Sequence, residues 1–204
     1  REGYRFVTIR YNIVSNRFYF TYQYKQYEME FFANDLETAL GELMRVDEIW
    51  INELVTYQNL YGTLERILRL KREQGAKILM LLHDFFALCP AVNLIDAKGK
   101  YCGVPSCDVC DKCVPDNRSN ACTEYGSGTL WRTKFREFLS NCDEIRAFSD
   151  DTAKLFKRAY PDVYNLHVIP HAPHYLPAVK KVRKTTETFN IGLIGVLCYK
   201  KGLE

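Results

Sequence analysis

Apolar and polar residues alternate at the start of the chain: Val7, Ile9, Tyr11 and Ile13 against Thr8, Arg10 and Asn12. After a turn at Ser15-Asn16 the alternation resumes with Phe18, Phe20, Tyr22 and Tyr24. A period of two marks half-buried strands, so residues 4 to 32 read as an antiparallel β-hairpin or meander whose aromatic stripe is a packed face. From Asn34 the period changes. Residues 35 to 43 read as a short capped helix, and residues 47 to 55 as a strand. Between residues 61 and 74, Leu64, Ile67, Leu68 and Leu70 recur at helical spacing, and Gly75 supplies the stop. Residues 77 to 82 read as a buried strand, its apolar run from Ile78 to Leu82 being of the kind covered on both faces. Residues 129 to 141 are amphipathic through Leu130, Phe135, Phe138 and Leu139. A strand is then expected at 144 to 148, a helix at 151 to 160, and strands at 166 to 169 and 190 to 195.

Strands alternating with helices from residue 47 onward predict βαβ crossovers, hence an α/β fold with a Rossmann-like parallel sheet flanked by helices. Three regions follow: an antiparallel β extension over 1–46, the Rossmann-like domain over 47–178 with a cysteine-rich insertion at 89–122, and a linker with the start of a further domain over 179–204. With 204 residues and 47% hydrophobic content the chain has enough apolar material for a real core. A net charge of +3 is too small to imply nucleic acid, and the one basic run, Lys180-Lys181-Val182-Arg183-Lys184, reads as a solvated linker. No apolar run is long enough to span a membrane and no signal-peptide succession opens the chain, so a cytoplasmic setting is expected. Asn117-Arg118-Ser119 fits the glycosylation pattern, which matters only in a secreted chain. The absence of an initial methionine, and the ending Gly202-Leu203-Glu204, suggest an excised piece whose last two residues are a cloning remnant.

Six of the eight cysteines fall between Cys89 and Cys122, and the densest part reads Cys102-x4-Cys107-x2-Cys110-x2-Cys113. Two-residue gaps let thiolates converge on one ion, and a structural zinc takes four such ligands. Local spacing favours Cys102, Cys107, Cys110 and Cys113, with Cys89 or Cys122 as replacements. Disulfides and an iron–sulfur cluster are the alternatives, the latter because Cys107-x2-Cys110-x2-Cys113 precedes Val114-Pro115. An all-cysteine set closes the coordination sphere, so a zinc here would be structural and would staple a long loop, residues 97 to 120, with little apolar content of its own. Cys142 and Cys198 read as small buried apolar residues.

Several pieces occur in an order that resembles bacterial family 4 glycosyltransferases, including those of surface-polysaccharide assembly. They are the strand ending in His83-Asp84, Cys89-Pro90, Asn93-Leu94, Asp96, Gly99, Tyr101-Cys102, Cys110-x2-Cys113, Ala147-Phe148-Ser149 and Val168-Ile169-Pro170-His171. Ile191-Gly192-Leu193-Ile194-Gly195 with Lys201-Gly202 is similar to the opening strand and phosphate loop of that family's second domain. The resemblance spans residues 77 to 202. It implies a GT-B architecture of two Rossmann-like domains, of which this chain holds the acceptor half, and transfer of a hexosyl or deoxyhexosyl group from a sugar nucleotide to a glycan or lipid-linked acceptor. It further implies catalytic roles for His83 and Asp84, and substrate contacts for Asn93, Ser149, His171, Gly195, Lys201 and Gly202. Among the cysteines it favours Cys89, Cys102, Cys110 and Cys113. Peripheral association with the inner face of a membrane fits such a role.

Taken without the resemblance, a His-Asp pair ending a strand is often a turn device, and a Gly or Lys-Gly in a turn is commonplace. His171 and His174, among Pro170, Pro173 and Pro177, suit an extended connector, with auxiliary metal ligation as a lesser role. The chain also departs from the family. Val196 stands where an arginine is usual, the paired glutamates around the donor sugar would fall past Glu204, and residues 1 to 46 match no part of it. The expectation is a fragment that does not transfer sugar alone, because transfer needs donor and acceptor held in register. The competing expectation is a non-catalytic module of a polysaccharide-assembly complex, docking through the aromatic hairpin and the cysteine loop.

Overall fold

The computed structural model describes residues 3–41, 45–121 and 126–171. Contacts divide the chain into Arg1–Ile169 and Pro170–Glu204, and only Pro170 and His171 of the second unit are described. The strand expected at 190 to 195 lies outside the described residues.

The N-terminal alternation forms a three-stranded antiparallel meander, β1 (Arg5–Asn12), β2 (Arg17–Tyr24) and β3 (Tyr27–Ala33). Asn12 closes the first turn, its Oδ1 accepting the N–H groups of Val14 and Ser15 at 2.9 and 3.0 Å, an Asx arrangement that replaces lost ladder bonds. Ile13 thus lies in the turn, exposed, rather than in the strand. Register stacks Val7, Tyr22 and Met29, then Ile9, Phe20 and Phe31, then Tyr11, Phe18 and Ala33, on one face. Only part of that face is covered. Tyr11, Phe18 and Phe20 are buried, with Tyr57 packed on Phe18 at a centroid distance of 5.8 Å and its hydroxyl donating to the Ile9 carbonyl. Met29 and Phe31 remain exposed, so the aromatic stripe is packed at one end and open at the other.

Helix α1 (Leu36–Gly41) leads to strand β4 (Glu48–Ile51), half the length expected from the sequence. Helix α2 (Leu60–Gln74), strand β5 (Lys77–Leu82), helices α3 (Cys107–Cys113) and α4 (Gly128–Ser140), strand β6 (Glu144–Ala147), helix α5 (Asp150–Ala159) and strand β7 (Leu166–Val168) follow. The four strands β4 to β7 lie in chain order and are all parallel. This is the expected sheet. Each parallel connection carries at least one helix, as the distance between the end of one strand and the start of the next demands.

The main core gathers Ile78, Met80, Leu82, Ile145 and Ala147 from the sheet with Leu64 and Ile67 of α2, Trp131, Phe135 and Phe138 of α4, and Phe156 of α5. Leu130, expected on the buried stripe, is exposed, because the stripe runs through Trp131 and Phe135 instead. Asp143, just before β6, accepts the Ile78 N–H at 2.7 Å and the Lys71 ammonium at 2.6 Å. Burial pulls its carboxyl up, but these donors prevail and hold it below the usual carboxylate range. The cysteine segment is not simply a loop. Residues 107 to 113 are helical and continue into a 3₁₀ turn, Val114–Asp116. Cysteines at i, i+3 and i+6 are a ligand spacing and also one face of a helix. No described helix is long and apolar enough to cross a membrane.

Candidate functional site

Two neighbourhoods collect the residues singled out in the sequence. The first is at the carboxyl ends of β5 and β6, where ligands of parallel sheets usually bind. His83 leaves the end of β5, and its ring stacks on Phe148, which leaves the end of β6, at a centroid distance of 4.5 Å and 26° between planes. The imidazole is on the exposed side of this pair. The Asp84 Oδ1 accepts the Phe86 N–H at 2.8 Å. Partial burial raises its carboxyl above the ordinary value, against the opposing pull of the Phe86 N–H and of His83. A carboxyl displaced toward neutral pH beside a histidine suits proton transfer.

Asn93 is drawn to the same edge, since the preceding Val92 carbonyl accepts the N–H of Phe85 at 3.2 Å. Its side chain is exposed. Ser149 caps α5, its Oγ accepting the Thr152 N–H at 3.2 Å. Asp150 and Asp151 occupy the first turn of that helix and already complement its dipole, so the α5 terminus is poorly suited to a phosphate. His171 is exposed in the second unit. Gly195, Lys201, Gly202 and His174 lie outside the described residues, as do Cys122 and Cys198.

The loop after β5 is tied to the helices behind the sheet. Trp131 Nε1 donates to the Phe86 carbonyl at 2.8 Å, and the buried Tyr160 hydroxyl donates to the Ala87 carbonyl at 2.5 Å. Burial raises the Tyr160 phenol far above its ordinary value, so it stays a neutral donor.

The second neighbourhood is the cysteine segment. An antiparallel bridge between Ile95 and Tyr101 and a Cys102 N–H to Leu94 carbonyl bond of 2.9 Å set Cys102 on a small hairpin. Helix α3 presents Cys107, Cys110 and Cys113, of which Cys110 is buried, and Cys89 is buried on the preceding loop. All six described cysteines are unbridged. Burial pushes the Cys89 thiol up to about 11, and the thiols of Cys102, Cys110 and Cys113 are near enough to push it the same way. No three His, Cys, Asp or Glu side chains among the described residues are placed closely enough together to hold an ion as they stand.

Arg132, in the middle of α4, was invisible to periodicity, which counts it as polar. Its guanidinium is buried and reaches the Leu88 carbonyl, the Pro105 carbonyl at 2.7 Å, the Cys110 sulfur at 3.2 Å and the Cys107 sulfur at 3.9 Å. Asn117 is buried as well, its amide donating to the Ile95 carbonyl at 2.7 Å, so the glycosylation pattern there is inaccessible in the folded chain. Phe148 was also missed as a partner of His83, though an aromatic ending the neighbouring strand is a readable hint.

No protein-family model, curated protein or solved structure gives a significant match to this chain.

Proposed function

We propose that the chain is the acceptor-side domain of a GT-B glycosyltransferase, taking a glycan or lipid-linked acceptor at the carboxyl ends of β5 and β6 and using a sugar nucleotide as donor. The observation that carries this reading is the His83–Phe148 stack, with Asp84 beside it, at the end of a parallel sheet. In the proposed reaction the exposed imidazole hydrogen-bonds an acceptor hydroxyl, and the raised Asp84 carboxyl tunes the charge next to it. Gly195, Lys201 and Gly202 would serve the donor phosphates, where N–H groups and an ammonium stabilise the departing nucleotide. The sequence resemblance supplies the sugar chemistry in this proposal; the fold alone would fit many activities.

Calorimetric titration with oligosaccharide and lipid-linked acceptors tests it. Saturable binding, weakened at least about tenfold, or about 1.4 kcal/mol, in His83→Ala supports the reading. Absence of acceptor binding, or binding indifferent to His83→Ala, overturns it.

A second reading rests on the open end of the aromatic sheet. Tyr27, Met29 and Phe31 are exposed along β3 on the face that carries Val7 and Tyr22, and clustered exposed apolar side chains mark interaction surfaces. A non-catalytic docking module of a polysaccharide-assembly complex would use that face. Partner capture abolished by Phe31→Ser and unchanged by His83→Ala would favour it.

A further inference from the structure

We propose that the free edge of β3 takes an extended segment of a partner protein as an added strand, one that alternates basic with apolar residues. The proposal rests on the reading of the meander as a docking surface and names, for that surface, the mode of binding and the chemistry of the partner.

Strand order β1-β2-β3 leaves β1 and β3 as edges, and the two differ. A two-residue turn, Lys25-Gln26, joins β2 to β3, and such a turn is closed by a pair that exchanges both main-chain bonds, here Tyr24 and Tyr27. Bonded and unbonded pairs alternate along the ladder. Tyr22–Met29 and Phe20–Phe31 are therefore bonded as well, and the N–H and C=O groups of Glu28, Glu30 and Phe32 face outward. The same alternation makes Ile9, opposite Phe20, an outward residue of β1, and its carbonyl does accept the Tyr57 hydroxyl at 3.2 Å. The β1 edge is thus partly occupied. Among the described residues no hydrogen bond reaches the outward main chain of β3.

This edge is exposed and largely apolar. Every residue from Tyr27 to Phe32 is exposed, Met29 at 61% and Phe32 at 58%. Free edges are commonly protected by lysine, proline or a bulge. Strand β3 has none of them, and its charged residues are Glu28 and Glu30, side by side on one face. Glu28 accepts the Gln23 amide at 2.6 Å, while Glu30 accepts the Thr21 hydroxyl at 3.4 Å and lies 3.6 Å from the Arg10 guanidinium. Neither carboxylate has a close cation. The other face carries Tyr27, Met29 and Phe31, the last fixed by stacking on Phe20 at 4.9 Å and 9°. A strand laid along β3 thus meets carboxylates and apolar side chains in turn. Lysine or arginine opposite Glu28 and Glu30, with apolar residues between, matches that alternation. In such strand addition the main-chain bonds supply affinity and the alternate side chains supply selectivity.

The same carboxylates disfavour a second copy of this chain. Antiparallel pairing of β3 with itself, centred on Met29, sets Glu28 of each copy against Glu30 of the other, and like charges directly opposite are destabilising. The β1 edge of another copy carries Arg5 and Arg10, but its Ile9 carbonyl is already taken.

The test is titration of the whole chain with a short fluorescent peptide of alternating lysine and valine, followed by anisotropy and by amide chemical shifts. Saturable binding that shifts the Glu28, Glu30 and Phe32 amides, and weakens as salt is raised, is expected. A peptide alternating glutamate and valine should bind at least about tenfold more weakly. N-methylating the lysine amides, or in a separate peptide the valine amides, should abolish binding in one case and spare it in the other, because only one set of N–H groups faces β3. Glu28→Lys combined with Glu30→Lys should exchange the two peptide preferences. If that variant fails to fold, the peptide series on the unaltered chain still decides. Equal binding of the lysine and glutamate peptides, indifference to both methylations, or no binding overturns the proposal. The docking reading fails separately, when partner capture survives Phe31→Ser.

Discussion

Replacing Gly128 by alanine should destabilise the chain measurably, although alanine is the better helix former. Gly128 is the first residue of α4, and a Cβ there would lie 2.5 Å from the Cys110 Cβ, 3.2 Å from its carbonyl carbon and 3.4 Å from its Cα. No rotamer relieves this clash, because the obstacle is the Cβ and main chain of α3. The two helices are also pinned together: Asp111 accepts the Thr129 N–H at 2.8 Å, the Thr129 hydroxyl at 2.6 Å and the Ser127 hydroxyl at 3.0 Å. Overpacking of this kind costs about 1–3 kcal/mol, while the propensity gain of alanine over glycine returns at most about 1 kcal/mol. A net loss of about 1–2 kcal/mol corresponds to a Tm lower by about 2–8 °C for a chain of this size. Thermal unfolding followed by circular dichroism measures it, with Gly126→Ala as control, since a Cβ there meets nothing within 4 Å. A Gly128→Ala variant as stable as the parent would refute the close α3–α4 packing on which the cysteine arrangement depends.

Tyr160→Phe removes the buried donor to the Ala87 carbonyl and should cost about 1–3 kcal/mol by urea denaturation, because that carbonyl is left unpaired; a neutral result would place water there. Asp143→Asn tests the acid side. The Asp143 carboxyl is held low in the folded chain, so the stability it contributes is present above the ordinary carboxylate pKa and lost as pH falls through the folded value. The stability gap between the parent and Asp143→Asn should therefore be constant near neutral pH and close only as pH falls below ~4, through the lowered folded pKa, and a pH-independent gap would contradict the assignment.

The parallel sheet was legible because its evidence is local. The apolar run of β5 and the 3.6-residue stripe of α2 announce themselves within a dozen residues, and glycine at 75 ends the helix where expected. What the chain hid depends on contacts between distant segments. Helix α3 has no apolar stripe of its own, only cysteines whose spacing reads equally as ligands. Arg132 is buried because backbone carbonyls from the loop after β5 and from Pro105 come to it, and nothing near position 132 signals that. The stack of His83 on Phe148 likewise requires that β5 and β6 be neighbours, although both strand ends had been picked out separately. At the meander, alternation revealed the strands but not how much of the aromatic face is covered, since coverage comes from Tyr57 and other residues outside it.

The most direct test of the acceptor-site claim is a chemical-shift map of the isotope-labelled chain titrated with an oligosaccharide acceptor. Saturable shifts centred on His83, Asp84, Asn93 and Phe148, and abolished by His83→Ala, are predicted. Shifts confined to the aromatic face of β1–β3, or none at saturating acceptor, would contradict it.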